Sequence, residues 1–283
     1  MPTSGHPGRA WFTPIVKYRL KTVASALELS LRMERPRRST MAQFCRHLKR
    51  RGYRPGTIID VGVADGTFDL YTMFPSATYL LVEPLSEFEP ALSWISSHYD
   101  AQYALTAAGA EDEERFIYLG DSLAEKHGAS LRPPKHDTVI EGQGKRRVPV
   151  RRLDRLVAER NLAGPFLLKI DTQGTEIDVL RGAERILPQV DVVIAEASFF
   201  NFRQKPNQPL VDDVLRFMDQ RGFFPYDIFG GFNRPLDDAL GQIDIAFVKR
   251  DGPFRRDWRF AEAKQLNTMG QRMVWRARGW MNV

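Results

Sequence analysis

Several carboxylates, one lysine and two glycines stand where an α/β fold could use them. In IIDVGVADGTFD, Asp60 closes a short β-branched apolar run, Gly62 and Gly66 follow in a tight loop, and Asp65 stands beside the second glycine. A glycine takes φ > 0 without steric cost and lets backbone approach a ligand, and a helix start offers free N–H groups to a polar or anionic group. At the end of the next apolar run, about twenty residues on, come Glu83 and Pro84; a carboxylate there is sited to accept hydrogen bonds from both hydroxyls of a ribose. In LLKIDTQGTEIDVLRGAERIL (167–187), an apolar strand delivers Lys169 and Asp171 to its carboxyl end, Gly174 makes the turn and Glu176 enters a helix. Glu196 stands near the end of the following apolar run.

The loop reads DVGVADG and departs from the GxGxxG of dinucleotide sites; the P-loop pattern GxxxxGK[ST] is absent. Asp60 would repel a pyrophosphate and better suits the cationic methionine end of S-adenosylmethionine, directly or through water. A glycine-rich turn with no ligand would share the same local pattern. The chain has one cysteine, Cys45, so a cysteine metal cluster is excluded, and no HExxH is present. Asp171 and Glu196 could supply two oxygens to Mg²⁺, but nothing in their spacing requires a metal.

These residues need a scaffold. Apolar residues make up 43% of the 283 and charged residues 27%, which predicts a packed globular core. Strand-like runs at 57–62, 78–84, 166–171 and 191–199 alternate with helical patterns at 86–98, near 175–187 and near 209–221. That alternation predicts βαβ units and a mostly parallel sheet with helices on both faces. The last pair, 223–229 and 242–249, has no helix between its members and reads as an edge hairpin, so the last strand should run antiparallel. Residues 120–147 read as a long loop carrying His127 and His136, either of which could serve as a base in a closing lid or simply be solvated. Ser39 or Thr40 can cap a helix running to about Arg51.

Two stretches together resemble the FkbM-type methyltransferase family. Ile59–Gly66 matches its IDVGANxG motif, and Lys169–Ala183 matches its KIDxxGxExxVLxGA hallmark almost without gaps; VEP (82–84), VPVRRLDRL (148–156), VVIAEASF (192–199) and QIDIAFVKR (242–250) match its intervening and later segments. This chain has Ala64 where Asn is common and Gln173 where Glu is commoner. The resemblance implies a Rossmann-like class I methyltransferase sheet of seven strands, S-adenosylmethionine as methyl donor, and O-methylation of a hydroxyl on a sugar, glycan, glycolipid or secondary metabolite. It covers about residues 43–250 and gives three segments: a basic amphipathic extension at 1–38, the methyltransferase domain at 39–250, and a basic extension at 251–283.

Methyl transfer from a sulfonium is an in-line displacement, so the protein mainly positions the hydroxyl and removes its proton. Asp171 is the first candidate base and Glu196 the second, with Lys169 paired to one of them, because a charge inside an apolar strand needs a partner. The expected cofactor contacts are Asp60, Gly62, Asp65, Gly66, Glu83 and Pro84. The net charge of +6 is concentrated near residues 35–51 and in the tail, which admits a nucleic acid, an anionic membrane face or plain solvent as its partner. The [DNS]PP[YFW] motif of adenine methylation is missing, which argues against nucleic acid; a methyltransferase-fold protein without catalysis is the third alternative. No apolar run approaches a membrane span, and neither a disulfide nor a leader is legible, so a cytoplasmic protein is expected, with peripheral membrane contact through the basic termini. The amphipathic pattern at 11–33 would also serve a homodimer.

Overall fold

A computed structural model describes residues 37–119, 126–134, 144–202 and 204–259 of the chain. The expected N-terminal helix, His136 and most of the C-terminal extension lie outside them. Seven strands form one sheet: β1 (Thr57–Val61), β2 (Thr78–Val82), β3 (Ala101–Ala104), β7 (Phe166–Ile170), β8 (Val190–Ser198), β9 (Phe223–Asn233) and β10 (Leu240–Lys249). Their order is β3-β2-β1-β7-β8-β10-β9. The pairings among β1, β2, β3, β7 and β8 are parallel, and β10 is antiparallel to both β8 and β9. The last strand is therefore inverted, as the missing helix between the final two runs required, and β9 takes the edge.

Strands buried on both faces read as continuous apolar runs, and β1 and β7 are buried at every position. One face packs α1 (Met41–Arg50), α2 (Phe68–Met73) and α3 (Glu89–His98) through Phe44, Leu48, Leu70, Tyr71, Leu92 and Ile95. The other packs α4 (Leu153–Glu159), α5 (Glu176–Gly182) and α6 (Val211–Gln220) through Leu156, Val179, Leu180, Val214 and Met218. Thr40 caps α1, its side chain accepting from the Gln43 amide. Gly182 must be glycine for close packing: a Cβ there would stand 2.0 Å from the Gly109 carbonyl oxygen.

A second sheet was not foreseen. Residues 101–108 split into two strands, β3 and β4 (Ala107–Ala108), and β4 joins β6 (Lys145–Arg151) and β5 (Glu113–Tyr118) in the order β4-β6-β5. The Thr106 hydroxyl donates to the Pro149 carbonyl at the split. Residues 145–147, assigned from sequence to a loop, begin β6. An isolated bridge between Tyr118 and Ser130 attaches the segment 126–134 to this sheet.

Candidate active site

The strand order reverses direction outward from the β1–β7 pair, and ligands in open α/β sheets lie beyond the carboxyl ends of the strands at such a point. A cavity of about 370 Å³ opens there. The loops that form it are tied to neighbouring strand ends: Gly62 N–H donates to the Val82 carbonyl, Asp171 N–H to Val61 and Glu83 N–H to Ala104. Gly62 has φ +75°, and a Cβ on it would lie 1.8 Å from the Asp171 carbonyl oxygen. The close approach of the two loops therefore depends on that glycine.

Of the residues singled out from sequence, Gly62, Asp65, Gly66, Glu83, Pro84, Lys169 and Asp171 line the cavity. Glu83 is buried; Oε2 accepts from Ala64 N–H and Oε1 from Leu85 N–H, both at 3.0 Å. Burial raises its pKa, while the two N–H donors and Lys169 oppose the rise. Each oxygen keeps a further lone pair for a hydroxyl. Ala64 stands at φ 44°, in the left-handed region that asparagine tolerates better than alanine.

Asp60 is placed differently from expectation. It is fully buried and does not line the cavity. Tyr71 donates its hydroxyl to Oδ2 at 2.6 Å, and Lys169 Nζ lies 3.4 Å from Oδ1. Register explains the pairing, because Asp60 is the β1 partner of Lys169 on β7. Asp60 thus lies behind the residues that line the cavity, where it charge-balances Lys169.

Lys169 also donates to the Gly62 carbonyl at 3.1 Å and lies 3.7 Å from Asp171 Oδ2. Burial pulls its pKa down, but Asp60, Asp171, Glu196 and Asp244 outweigh that and hold it above the ordinary lysine value. The ion pair that the sequence demanded is therefore present. Glu196 on β8 is the register partner of Asp244 on β10. With two-residue periodicity, Asp60, Lys169, Glu196 and Asp244 lie on one face of four adjacent strands.

Asp171 and Glu196 converge, but Glu196 does not line the cavity. The Gln173 side chain bridges them, Nε2 donating to Asp171 Oδ1 at 3.0 Å and to Glu196 Oε2 at 2.8 Å, and the two carboxyl groups also lie within hydrogen-bonding reach of each other. Burial first, and Asp171 next, raise the Glu196 pKa well above its ordinary value. The two-carboxylate arrangement considered for Mg²⁺ thus holds an amide nitrogen. Among the described residues, no group of three or more His, Cys, Asp or Glu could hold a metal ion. Glu176 turns back on its own loop and accepts from Gly174 N–H at 2.8 Å.

The cavity's remaining wall comes from the unforeseen sheet and the segment attached to it. Phe88, Ala107, Ala108, Ile117 and Leu131 supply an apolar slot beside Glu83. Lys126 bonds Glu87 at 2.8 Å, as does Arg146 at 2.5 Å. Burial opposes ionisation of Glu87, but these two cations hold its pKa down at about 2. His127 lines the cavity with Nε2 3.1 Å from Asp65 Oδ2. At the far end, Ser130 Oγ donates to the Gln173 carbonyl at 2.9 Å, and Arg132 bonds the Gly174 carbonyl and Asp178. Only His127 in this segment carried a readable signal; Ser130 and Arg132 carried none.

The chain is 28% identical over 160 residues to the AMB antimetabolite synthetase AmbE of Pseudomonas aeruginosa, a match covering 45% of this chain and 8% of that protein. Among solved structures, it is similar to the Burkholderia thailandensis 1,6-didemethyltoxoflavin-N1-methyltransferase, with 1,6-didemethyltoxoflavin and S-adenosylhomocysteine bound, at 12% identity and TM-score 0.40 over 88% of this chain and 94% of that one. It is also similar to the N-methyltransferase NodS of Bradyrhizobium japonicum, at 8% identity and TM-score 0.41 over 74% and 93%. The profile of the family described as Methyltransferase FkbM domain matches residues 60–225. That is more than half of the sequence, and the chain belongs to the FkbM family of S-adenosylmethionine-dependent methyltransferases.

Proposed function

We propose that the protein is an O-methyltransferase acting on a hydroxyl of a sugar, glycan, glycolipid or secondary metabolite. The observation that carries this reading is Asp171. Its carboxylate lines the cavity with a side chain 36% exposed, and it is fixed by Lys169 and Gln173. A hydroxyl acceptor needs such a group far more than a neutral amine does, because an alcohol must lose its proton as the new bond forms.

The residues present fit the cofactor. Glu83 offers lone pairs for the two ribose hydroxyls, and the slot of Phe88, Ile117 and Leu131 suits the flat face of an adenine. The loop 62–66 and Asp65 border the space left for the amino-acid end. The cavity volume falls within the range usual for small-molecule sites. When bound, S-adenosylmethionine would supply an electrophilic methyl group. Asp171 would receive the proton of the acceptor hydroxyl. Lys169 holds the Asp171 carboxylate in place, and the segment 126–134 walls the cavity from water.

Incubation with isotope-labelled S-adenosylmethionine and a panel of glycans, glycolipids and hydroxylated metabolites, read by mass spectrometry, tests the proposal. Methyl ethers should form, and Asp171→Asn should lower kcat by on the order of 10²–10⁴. Transfer to nitrogen alone, or an undiminished rate in Asp171→Asn, would overturn it.

A further inference from the structure

Gln173 occupies the place where an acid is commoner in the matched hallmark, and its surroundings give the amide a use that an acid could not serve. Its side-chain nitrogen contacts both carboxyl groups, Asp171 Oδ1 and Glu196 Oε2, and the NH₂ end of an amide is the end that suits two acceptors. The two hydrogens of one planar NH₂ diverge, which allows one to be directed to each carboxylate. A glutamate here would bring a third carboxylate against a pair already crowded by Glu176 and Asp244.

The backbone of this residue is held as firmly as its side chain. Gln173 has φ 56°, a left-handed conformation uncommon for a residue with a Cβ. Its carbonyl accepts from Ser130 Oγ at 2.9 Å and from Lys205 Nζ at 2.8 Å. Lys205 is buried, and its loop is braced by Asn201, which accepts from Lys205 N–H and donates to the Lys205 carbonyl. Three separate segments, at 126–134, 171–176 and 204–208, therefore meet at Gln173. Backbone strain at a site persists when the surroundings over-determine it, and here they do.

We propose that Gln173 is a positioning residue for the methyl-transfer site: its amide clamps Asp171 and Glu196 side by side and so fixes the face that Asp171 turns toward the acceptor. This inference rests on the reading of Asp171 as proton acceptor. The groups around Glu196 are Lys169 and Asp171 from β7 and its loop, Asp244 from β10 and Glu176 from α5. Asp60 on β1 lies on the same sheet face, paired with Lys169.

The test uses the full chain and needs no acceptor. Carboxyl groups are ¹³C-labelled, and the Glu196 resonance, assigned with Glu196→Gln, is followed against pH in wild type, Gln173→Met and Gln173→Asn. Asparagine accepts positive φ readily, so that variant keeps the backbone while its shorter amide cannot span both carboxylates. Losing a donor that favours the ionised form should raise the Glu196 midpoint by about one pH unit or more in both variants. A Glu196 midpoint unmoved in both folded variants would overturn the clamp. The methyl-transfer rate of Asp171→Asn reports on the proton-acceptor reading and the Glu196 midpoint on the clamp, so failure of one is distinguishable from failure of the other.

Discussion

Replacing Lys169 by Met removes a buried cation while keeping most of the side chain's volume. Its nitrogen lies 3.1 Å from the Gly62 carbonyl, 3.4 Å from Asp60 and 3.7 Å from Asp171. Asp60 is 0% exposed, and its Oδ1 has no hydrogen-bond partner; Lys169 is the cation that balances its charge. Breaking a buried pair by removing one partner costs about 3–5 kcal/mol, because the other charge is left uncompensated. The packing change alone should cost below about 1.5 kcal/mol. Against a total stability of about 5–15 kcal/mol, the variant should be marginal, and urea unfolding followed by circular dichroism reads the loss. Adding Asp60→Asn to Lys169→Met removes the orphaned charge and should restore about 1–3 kcal/mol. A loss under about 1 kcal/mol in the single variant, or strict additivity in the double, would refute the ion-pair argument.

Two further outcomes follow from the same site. Gly62→Ala should lose about 3 kcal/mol or more in chemical denaturation together with S-adenosylmethionine binding, since the new Cβ falls 1.8 Å from the Asp171 carbonyl oxygen; a variant of wild-type stability would mean that the two loops do not approach as described. Burial first and Asp171 second, against Lys169, raise the Asp244 pKa from 3.8 to about 6. Between those values the native state holds a proton that the unfolded chain has released, so this group makes stability fall as pH rises through that window. Asp244→Asn should flatten that limb, by at most about 3 kcal/mol at neutral pH; parallel pH–stability curves for the two proteins would contradict the assignment.

The main sheet was legible because its strands are buried on both faces and write themselves as apolar runs such as FLLKID. The inverted last strand followed from the absence of a helix between 229 and 242. The second sheet was not legible: Ala107–Ala108 is too short to carry a period, and Lys145–Arg147 extends β6 with basic residues that read as loop. The carboxyl-end positions of Lys169, Asp171 and Glu83 could be read from strand direction alone. The depth of Asp60 could not, because it depends on register with β7 and on Tyr71, eleven residues away on the helix that follows the loop. Gln173 read from sequence as the loss of a charge; its role as a bridge appears only when β7 and β8 bring two carboxylates together. Ser130 and Lys205 reach Gln173 from segments whose sequences show only polarity.

Binding of S-adenosylmethionine in the cavity beyond β1, β2 and β7, through Glu83, is the central expectation for this site. Isothermal calorimetry on the wild type, Glu83→Gln and Glu83→Ala tests it. Binding with a Kd on the order of micromolar is predicted for the wild type. Glu83→Ala should weaken it about a hundredfold, the equivalent of about 1.5–3 kcal/mol for hydrogen bonds to a charged group, and Glu83→Gln should fall between. Well-folded wild-type protein that binds no S-adenosylmethionine, or a Glu83→Ala variant that binds it as tightly as wild type, would contradict the account.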